Sequence, residues 1–66
     1  MTKREIRNFF ENKGYRYSEY DADYIYLHKY EGNQGGWTSE VRISQTEKSY
    51  IVEDGRTGRA RKYRYE

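Results

Sequence analysis

The sequence predicts an α+β fold: one N-terminal helix packed on a single antiparallel sheet of four to five strands, in the order α-β-β-β-β-β. Three observations carry this. Residues 1–14 hold a start signal, an apolar stripe and a stop signal for one helix. Tyr24 to Tyr30 alternates strictly, with Tyr24, Tyr26, His28 and Tyr30 on one side and Ile25, Leu27 and Lys29 on the other. That period of two marks a half-buried strand. Short alternating runs then recur, separated by polar or glycine-bearing breaks, as in a meander.

The helix comes first. Thr2 stands as N-cap with Glu5 three residues on, a capping box, and Met1 and Ile6 occupy the flanking staple positions. Ile6, Phe9, Phe10 and Lys13 lie on one stripe, and Gly14 is placed to end the helix in a left-handed conformation. Three large apolar groups do not hold a short helix alone, so it must lie on the sheet.

Tyr15–Tyr20 reads as the first strand, and Asp21-Ala22-Asp23 as a short polar break. The Asp23–Tyr30 stretch is taken as the central strand. Glu31 to Gly36 is a loop by composition. Its three glycines do not make a phosphate cradle, because a strand follows rather than a helix N-terminus. Trp37–Ser44 is the next strand, Gln45–Lys48 a turn, and Ser49–Glu53 a further strand. Asp54 to Gly58 carries an Asp-Gly turn signal, and Arg59–Tyr65 alternates again.

Register decides which side chains face out, because a slip of one residue flips a strand. Pairing Ile25 with Ile43 and Leu27 with Val41 gathers four aliphatic side chains under Ile6, Phe9 and Phe10. Pairing Val41 with Val52, and Tyr50 with Tyr63, turns both of those tyrosines inward. The outward face then holds Tyr24, Tyr26, Tyr30, Arg42, Ile51, Lys62 and Arg64. The slipped register would bury Tyr24 and Tyr26 instead; the first is preferred because aliphatic side chains bring no hydroxyl to satisfy.

At 66 residues the chain is one domain, 1–66, with a core that supplies roughly 3–5 kcal/mol. It has no cysteine, so no disulfide and no thiolate metal site, and a cytoplasmic location is expected. No apolar leader and no membrane span are expected. Charged residues make up 36% of the chain, yet 18% is aromatic, which argues against disorder. Nine tyrosines against two phenylalanines suit a thin fold with half-buried rings. The basic character is local. Residues 55–66 hold Arg56, Arg59, Arg61, Lys62 and Arg64 against Glu66 alone, whereas residues 1–54 hold eight basic and ten acidic side chains.

Enzyme chemistry finds little support. His28 is the only histidine, so a transition-metal site is not expected, and no cofactor is implied. Ser18, Ser39, Ser44 and Ser49 have no base at a recognisable spacing. Asp21 with Asp23, and Glu53 with Asp54, are close carboxylate pairs that read as solvated turn residues. So short a chain also leaves little room for a pocket of ~300 Å³ or more.

Two binding surfaces stand out. The run from Gly55 to Tyr65 interleaves five cations with two tyrosines, which suits phosphate contact and base stacking. It equally suits an edge strand protected by charge. Its two glycines let the tip around Arg56 and Arg59 approach another backbone closely. Tyr24, Tyr26 and Tyr30 form a row of rings that stacks bases, binds a protein, or simply covers the back of the sheet. A continuous positive patch joining Arg42, Lys62 and Arg64 beside exposed rings would favour nucleic acid.

The expected function is therefore a small non-catalytic binding module for nucleic acid. The alternative is a protein-interaction module, an inhibitor or adaptor, acting through the same face or a sheet edge. The candidate contact residues are Tyr24, Tyr26, Tyr30, Arg42, Arg56, Arg59, Arg61, Lys62 and Arg64. The composition resembles accessory proteins of phages and mobile elements. Oligomeric state is open.

Overall fold

The computed structural model describes residues 1–32 and 35–66. Asn33 and Gln34, in the loop expected between the second and third strands, lie outside the described residues. Helix α1 (Lys3–Asn12) is followed by β1 (Arg16–Tyr20), β2 (Tyr24–Glu31), β3 (Trp37–Ser44), β4 (Ser49–Glu53) and β5 (Ala60–Arg64). The strands form one antiparallel sheet in the order β1-β2-β3-β4-β5, the predicted meander.

Both ends of α1 are fixed by local chemistry. Thr2 Oγ1 accepts from the Glu5 amide at 3.1 Å, and the Thr2 amide donates to Glu5 Oε1 at 2.8 Å. The Thr2 amide and hydroxyl hold the Glu5 carboxyl below its usual range. At the other end Gly14 has φ +99°, its amide donates to Glu11 O, and the Tyr15 amide donates to Phe10 O. That pair of bonds is a Schellman motif, and its apolar contact is present: the Phe10 and Tyr15 rings lie 5.5 Å apart, edge to face.

The register is the one that puts aliphatic side chains inside. Ile25 faces Ile43, Leu27 faces Val41, Val41 faces Val52, and Tyr50 faces both Ile43 and Tyr63. Leu27, Val41 and Ile43 are fully buried under Ile6 and Phe10.

Three details depart from expectation. Phe9 is 50% exposed and not a core residue. Ile6 and Phe10, four apart, share the line that meets the sheet, while Phe9 sits about 100° round the helix from Phe10. It packs edge-on against Phe10 at 5.2 Å, with the Lys13 ammonium 4.9 Å from its ring. Second, the middle of the sheet belongs to β3, not to the Asp23–Tyr30 stretch. β3 buries Ser39, Val41, Ile43 and Ser44, whereas β2 buries Leu27 alone. Third, Tyr65 joins the core at 9% exposure, and its amide bonds Lys48 O at 3.1 Å just past the end of β5.

The two edge strands are exposed throughout, so α1 shelters only the middle of the sheet. On β1 the register shifts between Tyr17 and Glu19, a bulge of the kind that makes an edge a poor template for further pairing. The Arg7 guanidinium covers the Tyr17 ring at 4.8 Å. No helix among the described residues is long and apolar enough to cross a membrane.

Candidate functional site

The alternation and register place Tyr24, Tyr26, His28 and Tyr30 on the sheet face away from α1. Arg42, Ile51, Lys62 and Arg64 share that face, together with Glu40 and Glu53. The carboxylates change its character. Glu40 and Glu53 stand directly opposite each other across β3 and β4. Like charges so placed repel, and Arg42 relieves them: its Nη1 lies 2.8 Å from Glu40 Oε1 and 3.3 Å from Glu53 Oε1. Lys62 Nζ is 2.6 Å from Glu47 Oε1, a carboxylate that also accepts from Ser49 Oγ. Arg42 and Lys62 therefore neutralise their own sheet, and the positive patch across Arg42, Lys62 and Arg64 is broken.

The tyrosine row is tied down too. Tyr24 and Tyr26 are half-buried, with ring centres 6.1 Å apart, whereas Tyr30 is 60% exposed over Gly36. The Tyr26 hydroxyl donates to Asp21 Oδ2 at 2.7 Å, and Asp21 Oδ1 accepts from the Asp23 and Tyr24 amides at 2.8 and 2.7 Å. Asp21 is thus the organiser of the β1–β2 turn, and its carboxylate lies at the edge of the ring row.

These bonds make stability depend on pH. The Tyr26 hydroxyl, then the Tyr24 and Asp23 amides, hold the Asp21 carboxyl below its usual range. A lowered carboxylate stabilises the fold above its unfolded pKa, and that contribution is lost as pH falls through the folded value. The same bond pushes the Tyr26 phenol up to about 12, so its contribution is present below about pH 10 and lost as pH rises through about 12. Thermal melts are expected to fall on acidification below about pH 4, and less steeply in Asp21→Asn, which keeps the turn's amide acceptor. An equal slope in both proteins removes Asp21 from the account.

The C-terminal hairpin is built differently. The Asp54 amide donates to Arg59 O at 2.8 Å and the Gly58 amide to Asp54 O at 2.7 Å, closing the 54–59 turn. Asp54 Oδ1 accepts from the Arg56 amide at 2.8 Å. The Gly55 amide donates to Ser39 Oγ at 3.3 Å, and a Cβ on Gly55 would stand 1.7 Å from Thr38 O. The close approach that Gly55 permits is thus to the protein's own β3. Arg56 lies 5.3 Å over the Trp37 ring. Among the described residues no carboxylate lies within ion-pair reach of Arg59, Arg61 or Arg64.

On the α1 side of β4 and β5 a groove of about 410 Å³ is lined by Val52, Asp54, Thr57, Arg59, Arg61 and Tyr63. Grooves of this size exceed the volume expected for so short a chain. They arise because a single helix leaves the sheet margins uncovered, and they are open to solvent. Val52, Asp54, Thr57 and Tyr63 are absent from the contact residues read from the sequence; the signal for Tyr63 was its shared parity with Arg61, which the pairing of Tyr63 with Tyr50 masks.

The other candidates have structural roles. Ser44 Oγ accepts from the Thr46 and Glu47 amides at 3.2 and 3.0 Å, and Ser39 Oγ donates to Glu31 Oε2 at 3.2 Å. His28 lies in the sheet between Arg16 and Glu40. Among the described residues no cluster of histidine and carboxylate side chains is arranged to hold a metal ion. Comparison of the chain with protein families, curated proteins and solved structures finds no match.

Proposed function

We propose that this chain is a small non-catalytic binding module that contacts nucleic acid through β5 and the turn before it. One observation carries the proposal: Arg59, Arg61 and Arg64 make no ion pair among the described residues, Arg64 sensing the Glu47 charge only from beyond ion-pair reach, while Arg42 and Lys62 are ion-paired within the chain. An unpaired guanidinium on an exposed strand is ready to pair with phosphate, since no internal ion pair must first be broken. The contact set therefore contracts from the whole open face to the C-terminal edge.

Titrating single- and double-stranded DNA and RNA over a range of salt concentrations tests this. Affinity is expected to fall steeply with salt. Replacing Arg59, Arg61 and Arg64 together by alanine is expected to flatten the log–log slope by roughly two to three, at about 0.7–0.9 per phosphate contact. Arg42→Ala is expected to leave the slope nearly unchanged. Absence of binding at low ionic strength overturns the proposal.

A second reading rests on the open face. Its half-buried tyrosines stand among Asp21, Glu40 and Glu53, a mixed surface better suited to a protein than to phosphate. Capture of a specific protein that survives nuclease treatment, and is lost on Tyr30→Ala, supports that reading.

A further inference from the structure

We propose that the groove beside β5 takes single-stranded nucleic acid, with an unpaired base on the Tyr63 ring and the adjoining phosphates on Arg59 and Arg61. This rests on the nucleic-acid reading above and adds which form is bound and where. Tyr63 is the first support. One side of its ring stacks on Tyr50, with centres 5.3 Å apart and planes 22° from parallel. Tyr50 is itself braced edge-on by Phe10 at 5.4 Å. The ring is thus held from behind, while Tyr63 as a residue is 42% exposed and lines the groove.

An exposed ring braced on one side is suited to serve as a stacking platform, and only a base outside a duplex can lie on it. Arg61 precedes Tyr63 by two residues on the same side of the strand, about 7 Å away. That is the reach from a base to its own phosphate. Arg59, at the turn, extends the same track. Val52, opposite Arg61 in the register, gives the groove an apolar floor.

Elsewhere most cations are engaged within the chain; Arg4, Arg16, Lys48 and Arg64 are also outside ion pairs among the described residues, but none of them lines the groove. On α1 and its cap, Arg7 is held by Glu11 and Tyr17, Lys3 bonds Gln45, and Lys13 sits over Phe9. The open sheet face spends Arg42 and Lys62 internally. Asp54 is the one acid lining the groove. Its carboxylate opposes phosphate, while its Oδ1 holds the Arg56 amide, a bond that asparagine keeps.

Fluorescence anisotropy with a labelled oligothymidylate, an oligouridylate and a hairpin duplex of equal phosphate number tests the proposal on the intact chain. Both single strands are expected to bind about tenfold more tightly than the duplex, the scale of one stacked base. Tyr63→Leu, which keeps apolar packing against Tyr50 but offers no ring face, is expected to abolish that preference. Tyr63→Phe is expected to retain it. Asp54→Asn is expected to tighten all probes a few-fold at low salt. Melting curves confirm that each variant is folded. A duplex bound as tightly as the single strands, with the slope still set by Arg59, Arg61 and Arg64, overturns this inference and leaves the nucleic-acid reading standing. A single-strand preference that survives Tyr63→Leu overturns the placement in the groove. No binding of any probe at low salt overturns both.

Discussion

Leu27→Ala is expected to leave most of the chain unfolded at room temperature. Leu27 is fully buried, faces Tyr17 on β1 and Val41 on β3, and lies in the cluster formed with Ile6 and Phe10. Truncating such a residue costs about 2–5 kcal/mol, combining lost transfer energy with a cavity that strands on both sides cannot close. A core of this size supplies only about 3–5 kcal/mol in total. The two ranges overlap, so one deletion reaches the limit of the fold. Phe9→Ala, at a half-exposed ring, is expected to cost well under half as much. Urea titration followed by far-UV circular dichroism separates the two. A cooperative transition for Leu27→Ala within about 1 kcal/mol of the parent would show that the core is held elsewhere.

What could be read from the chain divides by the range of the interaction. The helix was legible because its signals are local: Thr2 and Glu5 close the cap, and Gly14 with Tyr15 closes the Schellman turn. The register was legible because burying Ile25, Leu27, Val41 and Ile43 strands no hydroxyl, whereas the slipped alternative strands two. The fate of the cations was less so. A count of charges cannot say that Glu40 meets Glu53; the Val41–Val52 pairing read from the sequence already implies it, but that Arg42 is drawn between the two carboxylates is a matter of side-chain geometry. Tyr65 was within reach of the alternation, since it shares parity with Tyr63, but its burial depends on chain continuing past β5 to meet Lys48. The exposure of Phe9 depends on how α1 is rolled on the sheet, a tertiary fact with no local signal.

Gly55→Ala is expected to damage the fold and the candidate site together, and it separates two uses of glycine in one turn. Gly58 has φ +77° and a Cβ there would meet nothing, so alanine at 58 carries only conformational strain of about 1–2 kcal/mol. Gly55 has no such φ; its Cβ would stand 1.7 Å from Thr38 O and 2.4 Å from Thr38 C. Both are backbone atoms inside a paired strand and cannot swing aside. The turn must instead lift from β3, breaking the Gly55–Ser39 bond and drawing Arg56 off Trp37. The expected cost is about 1–3 kcal/mol. Trp37, the chain's only tryptophan, reports the movement directly through its emission. Gly58→Ala is expected to lower the melting temperature with Trp37 emission unchanged; Gly55→Ala is expected to change both. Because Arg59 and Arg61 hang from the same turn, Gly55→Ala is also expected to weaken oligonucleotide binding at temperatures where the variant is still folded. Unchanged emission and an unchanged melt in Gly55→Ala would mean that the turn is not locked on Thr38. Arg59 and Arg61 would then owe their placement to β5 alone.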